Sequence, residues 1–316
     1  MMTIDPFEYE KYKKYFFTNY IAVISNQDLL FSDEIYNKYK VHHYTNINGL
    51  EGILKEGEFW VSQADFLNDK TEMKYTFDMS KEIFSSICKE KKKSQDEINT
   101  FSHLFDEAVN RNKENGTNYY TLSFSRNPDS NLLWSNYSQD DGYSITFKFK
   151  ELFDGLTQDR NSGGPLPIAS KVIYEKSEQK SKLLKLLSEI IDRFEDKTNK
   201  GNYDVNSDGF IINAITVLEW YSIFFKDECF SQEEEFRIAF LYLRNSDAKI
   251  YDCRISNGTF IPYVKIKIDC NSVKGVTIGP KNNMDINKEG LRKFLWKHEY
   301  DLTKVNISKS KIPYRY

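Results

Sequence analysis

The sequence predicts an α+β fold, built on a central mixed or antiparallel sheet with inserted helices. A compact strand–helix–strand unit occupies residues 41–62, further β-forming segments recur as far as residue 278, and long amphipathic stretches separate them. The chain has 316 residues and no Pro-, Gly- or Ser-rich linker. We therefore expect a helical extension over 1–39 and a single α+β domain over 40–316.

The strand–helix–strand unit is the best-defined part of the sequence. A strand ends at Val41–Thr45, and Asn46 is placed to cap a helix whose apolar residues recur at helical spacing. Gly57 is expected to end that helix, and Phe59–Ser62 then forms a second strand.

Two helical insertions are expected, over about 69–115 and 178–226. Asp69 and Glu72 fit a capping box at the start of the first insertion, and the basic run Lys89–Lys93 divides it into two helices. The second insertion contains helices at about 178–196 and 208–226. The remaining predicted elements are strands at about 119–125, 143–149, 168–174, 235–243, 260–269 and 273–278, a short helix at 132–137 and a helix at about 286–298.

Composition and charge exclude several classes of protein. The chain carries 44 Lys+Arg against 47 Asp+Glu, so it has no overall basic field for a nucleic-acid backbone. No apolar run is long enough to span a membrane, and the N-terminus lacks the pattern of a signal peptide. The four cysteines form no C-x-x-C pair. We expect a cytoplasmic protein without a membrane partner, and no bound metal.

Familiar catalytic motifs such as G-x-x-x-x-G-K-[ST], H-E-x-x-H and G-x-S-x-G are absent from the sequence. His43, Tyr44 and Thr45 end a strand just before a helix, where they could converge with helix amides on an anionic or sugar-bearing ligand. The alternative is a strand-end histidine with Thr45 as a helix cap.

Two further groups of residues could carry chemistry. Ser125 could line an aromatic pocket with Trp134 and Tyr137, which lie three residues apart on one helix, although taken alone these residues favour core packing. Glu235 and Arg237 project from one face of a strand. If that face is buried, Glu235 must be paired and becomes a candidate catalytic or binding group, whereas an exposed edge would leave only a surface pair.

These residues resemble, in their order along the chain, an uncharacterised bacterial family of unknown function. Its marks are the motifs H-Y-T, F-N-D-x-x-E, F-S, W-x-x-Y and E-x-E-x-R. The matching segments are His43–Thr45, Phe66–Glu72, Leu122–Ser125, Trp134–Tyr137 and Glu233–Arg237. The chain departs from the pattern where Leu67 follows Phe66 directly, and where Lys70 replaces the family's Pro.

The layout of that family is similar to the ADP-ribosyltransferase-like fold of the His-Tyr-Glu type. In this sequence His43, Thr45 and Ser62 match the positions on its first two strands, and Glu235 or Glu233 matches the late-strand carboxylate. The resemblance implies a transferase or glycohydrolase that uses NAD as substrate and breaks the nicotinamide–ribose bond without a metal.

The same resemblance implies roles for individual residues. Glu235, His43 and Glu233 are the catalytic candidates, and an aromatic side chain would stack on nicotinamide. The residues expected to bind NAD are His43, Tyr44, Thr45, Ser62, Ser125, Trp134, Tyr137, Tyr143 and Arg237. The acceptor stays open among protein, nucleic acid, small molecule and water. A role as a toxin or an anti-phage effector is an expectation from association with such families.

Two other functions remain open from the sequence alone. The first is a binding module without catalysis, in which an aromatic pocket recognises a nucleotide or a partner. The second is a phosphodiesterase or nuclease whose divalent metal would be held by carboxylates. Its candidate ligands are Asp65, Asp69, Glu72, Glu233 and Glu235.

Overall fold

The protein is described here by a computed structural model that covers residues 38–66, 71–115, 117–137, 142–158, 166–201, 203–243, 250–256, 258–282 and 284–313. The expected N-terminal extension lies almost wholly outside these residues, and so does Asp69 of the expected capping box. Within the described part of the chain, no helix is both long and apolar enough to cross a membrane.

Ten strands and eight α-helices form the described structure. The strands are β1 Lys40–Thr45, β2 Glu58–Gln63, β3 Thr117–Ser125, β4 Tyr143–Lys148, β5 Leu166–Lys171, β6 Glu235–Leu243, β7 Asp252–Ser256, β8 Thr259–Lys267, β9 Val273–Ile278 and β10 Asn306–Lys309. The helices are α1 Ile47–Glu56, α2 Thr71–Glu90, α3 Gln95–Asn115, α4 Asn131–Tyr137, α5 Phe149–Gln158, α6 Lys176–Thr198, α7 Gly209–Phe224 and α8 Met284–Lys297.

All ten strands belong to one mixed sheet, which confirms the predicted α+β class. The order along its main path is β10-β9-β4-β1-β3-β2-β8-β7, and β6 pairs with both β3 and β5. Among the described strands only β9 and β10 run parallel, and the other pairs are antiparallel. The core under this sheet is rich in aromatic rings, among them Phe59, Tyr120, Phe147 and Phe236.

The strand–helix–strand unit folds as its sequence predicts. The Asn46 side chain accepts a hydrogen bond from the Gly49 amide and so caps α1. Gly57 ends the helix at φ 62°, a left-handed conformation that costs glycine little and other residues more. One short helix, α1, therefore connects β1 to β2.

The sheet divides where β1 and β2 meet β3. Along one edge, β3 pairs with β6 over all nine of its residues. Along the other edge, β2 pairs at Tyr120 and Thr121, and β1 pairs at Ser125. Ser123 lies between Thr121 and Ser125 and pairs with neither β1 nor β2. The sheet is therefore open at this point, and the opening is where the candidate site lies.

The two helical insertions come together as one layer. Side chains of α2, α3, α6 and α7 share a single apolar core that includes Phe84, Phe105, Leu187, Phe194 and Leu218. A smaller cluster around Trp220 and Phe224 joins α7 to the sheet. Because α7 is covered by helices on one side and by the sheet on the other, it is apolar around its whole circumference.

Three elements were not predicted. Phe149 was expected to continue β4 but instead begins α5, where its amide donates to the Tyr39 carbonyl at 2.9 Å. The edge strand β7 is largely exposed and lacks apolar alternation, so it gives no strand pattern. The third element, β10, has only four residues.

Candidate functional site

A cavity of about 980 Å³ opens where β1 and β2 part. Its floor is the β3 segment 121–125, and its walls come from β1, the start of α1 and β2. The beginning of β6 and the residues just before it close one end, while Arg254 of β7 lies at the other rim. Nine of the eleven predicted site residues line this cavity: His43, Tyr44, Thr45, Ser62, Ser125, Tyr137, Glu233, Glu235 and Arg237.

Trp134 and Tyr143 are the two predicted site residues that do not line the cavity. Trp134 is buried in α4, where its indole packs on Tyr44 and donates to Asp129 at 2.8 Å. Tyr143 is buried in β4, beside Thr45 on one strand and Ile278 on another. Each ring is therefore committed to packing, whereas Tyr44 and Tyr137, the other two predicted aromatic residues, line the cavity.

His43 fills the opening between β1 and β2. Its Nδ1 lies 3.0 Å from the carbonyl oxygen of Ser123, a residue that pairs with neither β1 nor β2. A carbonyl can only accept, so Nδ1 carries the proton and Nε2 carries the lone pair. The ring packs edge-on against Phe59 and Phe124, and burial lowers the pKa of His43 below its usual range. His43 is therefore a neutral acceptor in the wall of the cavity.

Glu235 is a buried and ionised carboxylate. Its two oxygens accept from Nε and Nη2 of Arg237 at 2.7 and 2.9 Å, and Nζ of Lys226 lies 3.3 Å from one of them. Burial alone would raise the pKa of Glu235, but the charges of Arg237 and Lys226 outweigh it and lower that pKa to about 2. The predicted side-by-side pair thus faces the interior and not an exposed edge.

Glu233 is the second carboxylate of the cavity. One oxygen accepts from Lys226 Nζ at 2.7 Å, and the other accepts a longer hydrogen bond from the Tyr137 hydroxyl at 3.3 Å. Burial and the adjacent Glu233 charge raise the pKa of Tyr137 to about 12, so the phenol stays protonated as a donor. Glu233 is therefore held less completely than Glu235, which makes a bidentate pair.

A short helical turn brings both carboxylates into the cavity. Residues Glu228–Glu233 form a 3₁₀-helix, and Glu234 then adopts the left-handed conformation at φ 45° before β6 begins. The Glu234 side chain consequently points away, toward Arg126 and Asn127, and is 42 % exposed. Of the three consecutive glutamates, Glu233 and Glu235 therefore face the cavity and Glu234 faces solvent.

Two cations and an indole of the cavity were missed from the sequence. Lys226 comes two residues after the end of the apolar helix α7, and a lysine that is buried there needs a carboxylate partner. Arg254 gave no signal because β7 shows no strand pattern. Trp60 lines the cavity while half exposed, stacked on Tyr263 at 4.7 Å between ring centroids.

Two predicted side chains have structural partners as well as a place in the cavity wall. The Tyr44 hydroxyl donates to the Asn127 carbonyl at 2.8 Å and accepts from the Ser130 amide. The Ser125 hydroxyl donates to the Glu233 carbonyl at 2.8 Å. Both residues therefore hold the loop after β3 and the turn before β6 against the cavity.

The structure describes the side chains of three carboxylates of the metal hypothesis, Asp65, Glu233 and Glu235, and these three do not assemble. No group of three or more His, Cys, Asp or Glu side chains within the described residues is arranged to hold a metal ion. Asp65 accepts from Gln63 at the end of β2, and Asp69 lies outside the described residues.

One segment of the chain matches the model of a known protein family. Residues 133–238, which include most of α4 and the acidic end of the cavity, match the model of a family described as "Protein of unknown function (DUF2971)". No curated protein and no solved structure matches the chain. The predicted resemblance to an uncharacterised family is thus confirmed over residues 133–238, where the chain is similar to DUF2971.

Proposed function

We propose that this protein binds NAD in the cavity between β1 and β2 and breaks the bond between nicotinamide and ribose. One observation carries the proposal: His43 of β1, Ser62 of β2 and the carboxylates beside β6 line a single cavity where the sheet opens. These residues lie far apart in the sequence, so the fold itself assembles them.

The proposed reaction needs a fixed negative charge near the ribose. As the C1′–N bond breaks, its electron pair leaves with neutral nicotinamide, and C1′ becomes an oxocarbenium-like centre. An acceptor oxygen or nitrogen then bonds to C1′ and releases a proton. Glu235 is held ionised by Arg237, and Glu233 adds a second carboxylate to the same end of the cavity. His43 would accept a hydrogen bond from a ribose hydroxyl through Nε2.

The acceptor decides which enzyme class the protein belongs to. Water as acceptor would make it a glycohydrolase, and a protein or nucleic acid would make it an ADP-ribosyltransferase. Either activity would consume cellular NAD or modify cellular targets, which suits a cytoplasmic bacterial toxin or anti-phage effector. This assignment of role is part of the proposal.

A binding module without catalysis is the second candidate, and the bidentate pair favours it. Both oxygens of Glu235 are already bonded to Arg237, so this carboxylate can be a structural partner that holds the cavity in shape. In that case the cavity would bind a nucleotide without cleaving it, and Glu233 would contact the bound sugar only as a ligand.

The test combines binding and turnover in one sample. Saturation-transfer NMR detects NAD bound to the purified protein, and the same tube is then followed for free nicotinamide over several hours. Glu233→Gln, Glu235→Gln and the exposed Glu234→Gln are measured together, the last as the matched control. An enzyme should release nicotinamide in the wild type and in Glu234→Gln but lose turnover in Glu233→Gln while the variant stays folded.

Each other outcome has a defined meaning. Binding without nicotinamide release would exclude the enzyme and support the binding module. Turnover that survives in both Glu233→Gln and Glu235→Gln would contradict the proposed carboxylate chemistry. A folded wild type that shows no saturation transfer from NAD would exclude NAD as the ligand.

A further inference from the structure

Arg254 brings to the rim of the cavity a positive charge that forms no ion pair with any residue the structure describes. It stands in the edge strand β7, and its Nη2 donates to the Ser62 hydroxyl oxygen at 3.0 Å. Ser62 belongs to β2, so this hydrogen bond crosses the face of β8, which lies between the two strands. The side chain therefore lines the rim of the cavity while it stays exposed to solvent.

The other cations of the cavity are neutralised by their neighbours. Lys226 pairs with Glu233 and Glu235, and Arg237 pairs with Glu235. Arg254 makes no ion pair with any described residue, and Ser62 is its hydrogen-bond partner there. Because a guanidinium has five N–H donors, most of them remain available at the rim. The cavity thus has a compensated acidic end and a cationic end.

Ser62 adds a second donor to the cationic end. Its oxygen accepts from Arg254, so its own hydroxyl hydrogen is directed elsewhere, and no acceptor for it occurs among the described residues. A planar guanidinium beside a hydroxyl donor matches the oxygens of a phosphate, which accept several hydrogen bonds at once. The combination is unsuited to a cation or to an apolar group.

We propose that Arg254 and Ser62 bind the phosphate groups of the nucleotide that occupies the cavity. This inference deepens the proposed function and rests on it for the identity of the nucleotide as NAD. The diphosphate lies at the Arg254 end, and the ribose that is to be cleaved lies at the Glu233 end. Arg254 thereby sets the preference of the site for phosphorylated nucleotides over nucleosides.

The test measures binding of three probes by isothermal titration calorimetry. ADP-ribose carries the diphosphate, inorganic pyrophosphate is the diphosphate alone, and adenosine has no phosphate. Arg254→Gln is compared with Arg126→Gln, the same substitution at an exposed arginine outside the cavity lining. We expect Arg254→Gln to weaken ADP-ribose binding roughly 10- to 100-fold, and Arg126→Gln to change it less than about twofold. Thermal melting checks that both variants are folded.

The outcomes separate this inference from the proposed function. Equal ADP-ribose affinity in the wild type and Arg254→Gln would overturn the phosphate site, even if NAD cleavage continues. Pyrophosphate binding that depends on Arg254, in a protein that neither binds nor cleaves NAD, would support the phosphate site and refute the proposed NAD chemistry. A wild type that binds neither ADP-ribose nor pyrophosphate would overturn the site. Arg254→Lys should retain part of the affinity, because it keeps the charge but loses the planar fork.

Discussion

Replacing Glu235 by Gln is expected to destabilise the protein by about 3 kcal/mol at pH 7. The pKa of Glu235 falls from 4.5 to about 2 on folding, and each pKa unit corresponds to about 1.4 kcal/mol. Gln keeps the shape of the side chain but leaves the charges of Arg237 and Lys226 buried and uncompensated. A loss of this size agrees with the roughly 3–5 kcal/mol typical when one partner of a buried ion pair is removed.

The stability difference between the wild type and Glu235→Gln should depend on pH. Since the folded pKa lies below the unfolded value, the stabilisation is complete above about pH 4.5 and is lost as the pH falls toward about 2. The difference in unfolding free energy between wild type and Glu235→Gln should therefore shrink from about 3 kcal/mol to near zero across that interval. Other carboxylates titrate in both proteins and cancel in the difference.

Urea denaturation at a series of pH values measures that difference directly. Glu234→Gln is the matched control, because its carboxylate is exposed and should contribute under about 0.5 kcal/mol at any pH. Equal stability of wild type and Glu235→Gln at pH 7 would refute the reasoning. A difference that stays constant between pH 5 and pH 2 would also refute it, because the loss would then come from packing and not from charge.

Three further predictions concern the strand–helix–strand unit, which supplies two walls of the cavity. A Cβ at Gly49 would overlap the Thr45 hydroxyl, so Gly49→Ala should cost about 1–3 kcal/mol in urea denaturation, but should become neutral or stabilising in a Thr45→Ala background. His43→Asn keeps a donor for the Ser123 carbonyl, so its unfolding free energy should stay within about 1 kcal/mol of the wild type while nicotinamide release is lost. His43→Ala should lose nicotinamide release and also about 2–3 kcal/mol of unfolding free energy. Gly57→Ala should cost about 1 kcal/mol in thermal or urea unfolding, because alanine must then adopt a φ of 62°. NAD binding should not change.

Most of the fold can be predicted where periodicity and end signals agree. The strand–helix–strand unit has a cap, a glycine stop and clear apolar spacing, and its predicted bounds differ from the observed ones by only a few residues. The pairing of β6 with β3 could not be predicted, because it joins segments over a hundred residues apart. The packing of the two helical insertions into one core could not be predicted either, because the apolar pattern of a helix does not specify which helix it packs against.

The site could be predicted in its parts but not in its connections. The alternation of β6 places Glu235 and Arg237 on one face, yet only the fold determines that this face is buried. Trp134 and Tyr137 share a helix, but the indole packs inward while the phenol reaches the cavity. A sequence motif records which residues occur together; it does not record whether each side chain serves packing or a ligand.

The division of the sheet also separates two tasks in this protein. The floor strand β3 is held by β6 over its whole length, whereas each wall strand meets β3 at only one or two positions. Wall residues such as Thr45, Trp60 and Ser62 can therefore change with little effect on the ladder that supports the floor. Such an arrangement favours the evolution of new ligand preferences on an unchanged scaffold. It also gives protein engineers a defined set of wall positions at which to vary specificity.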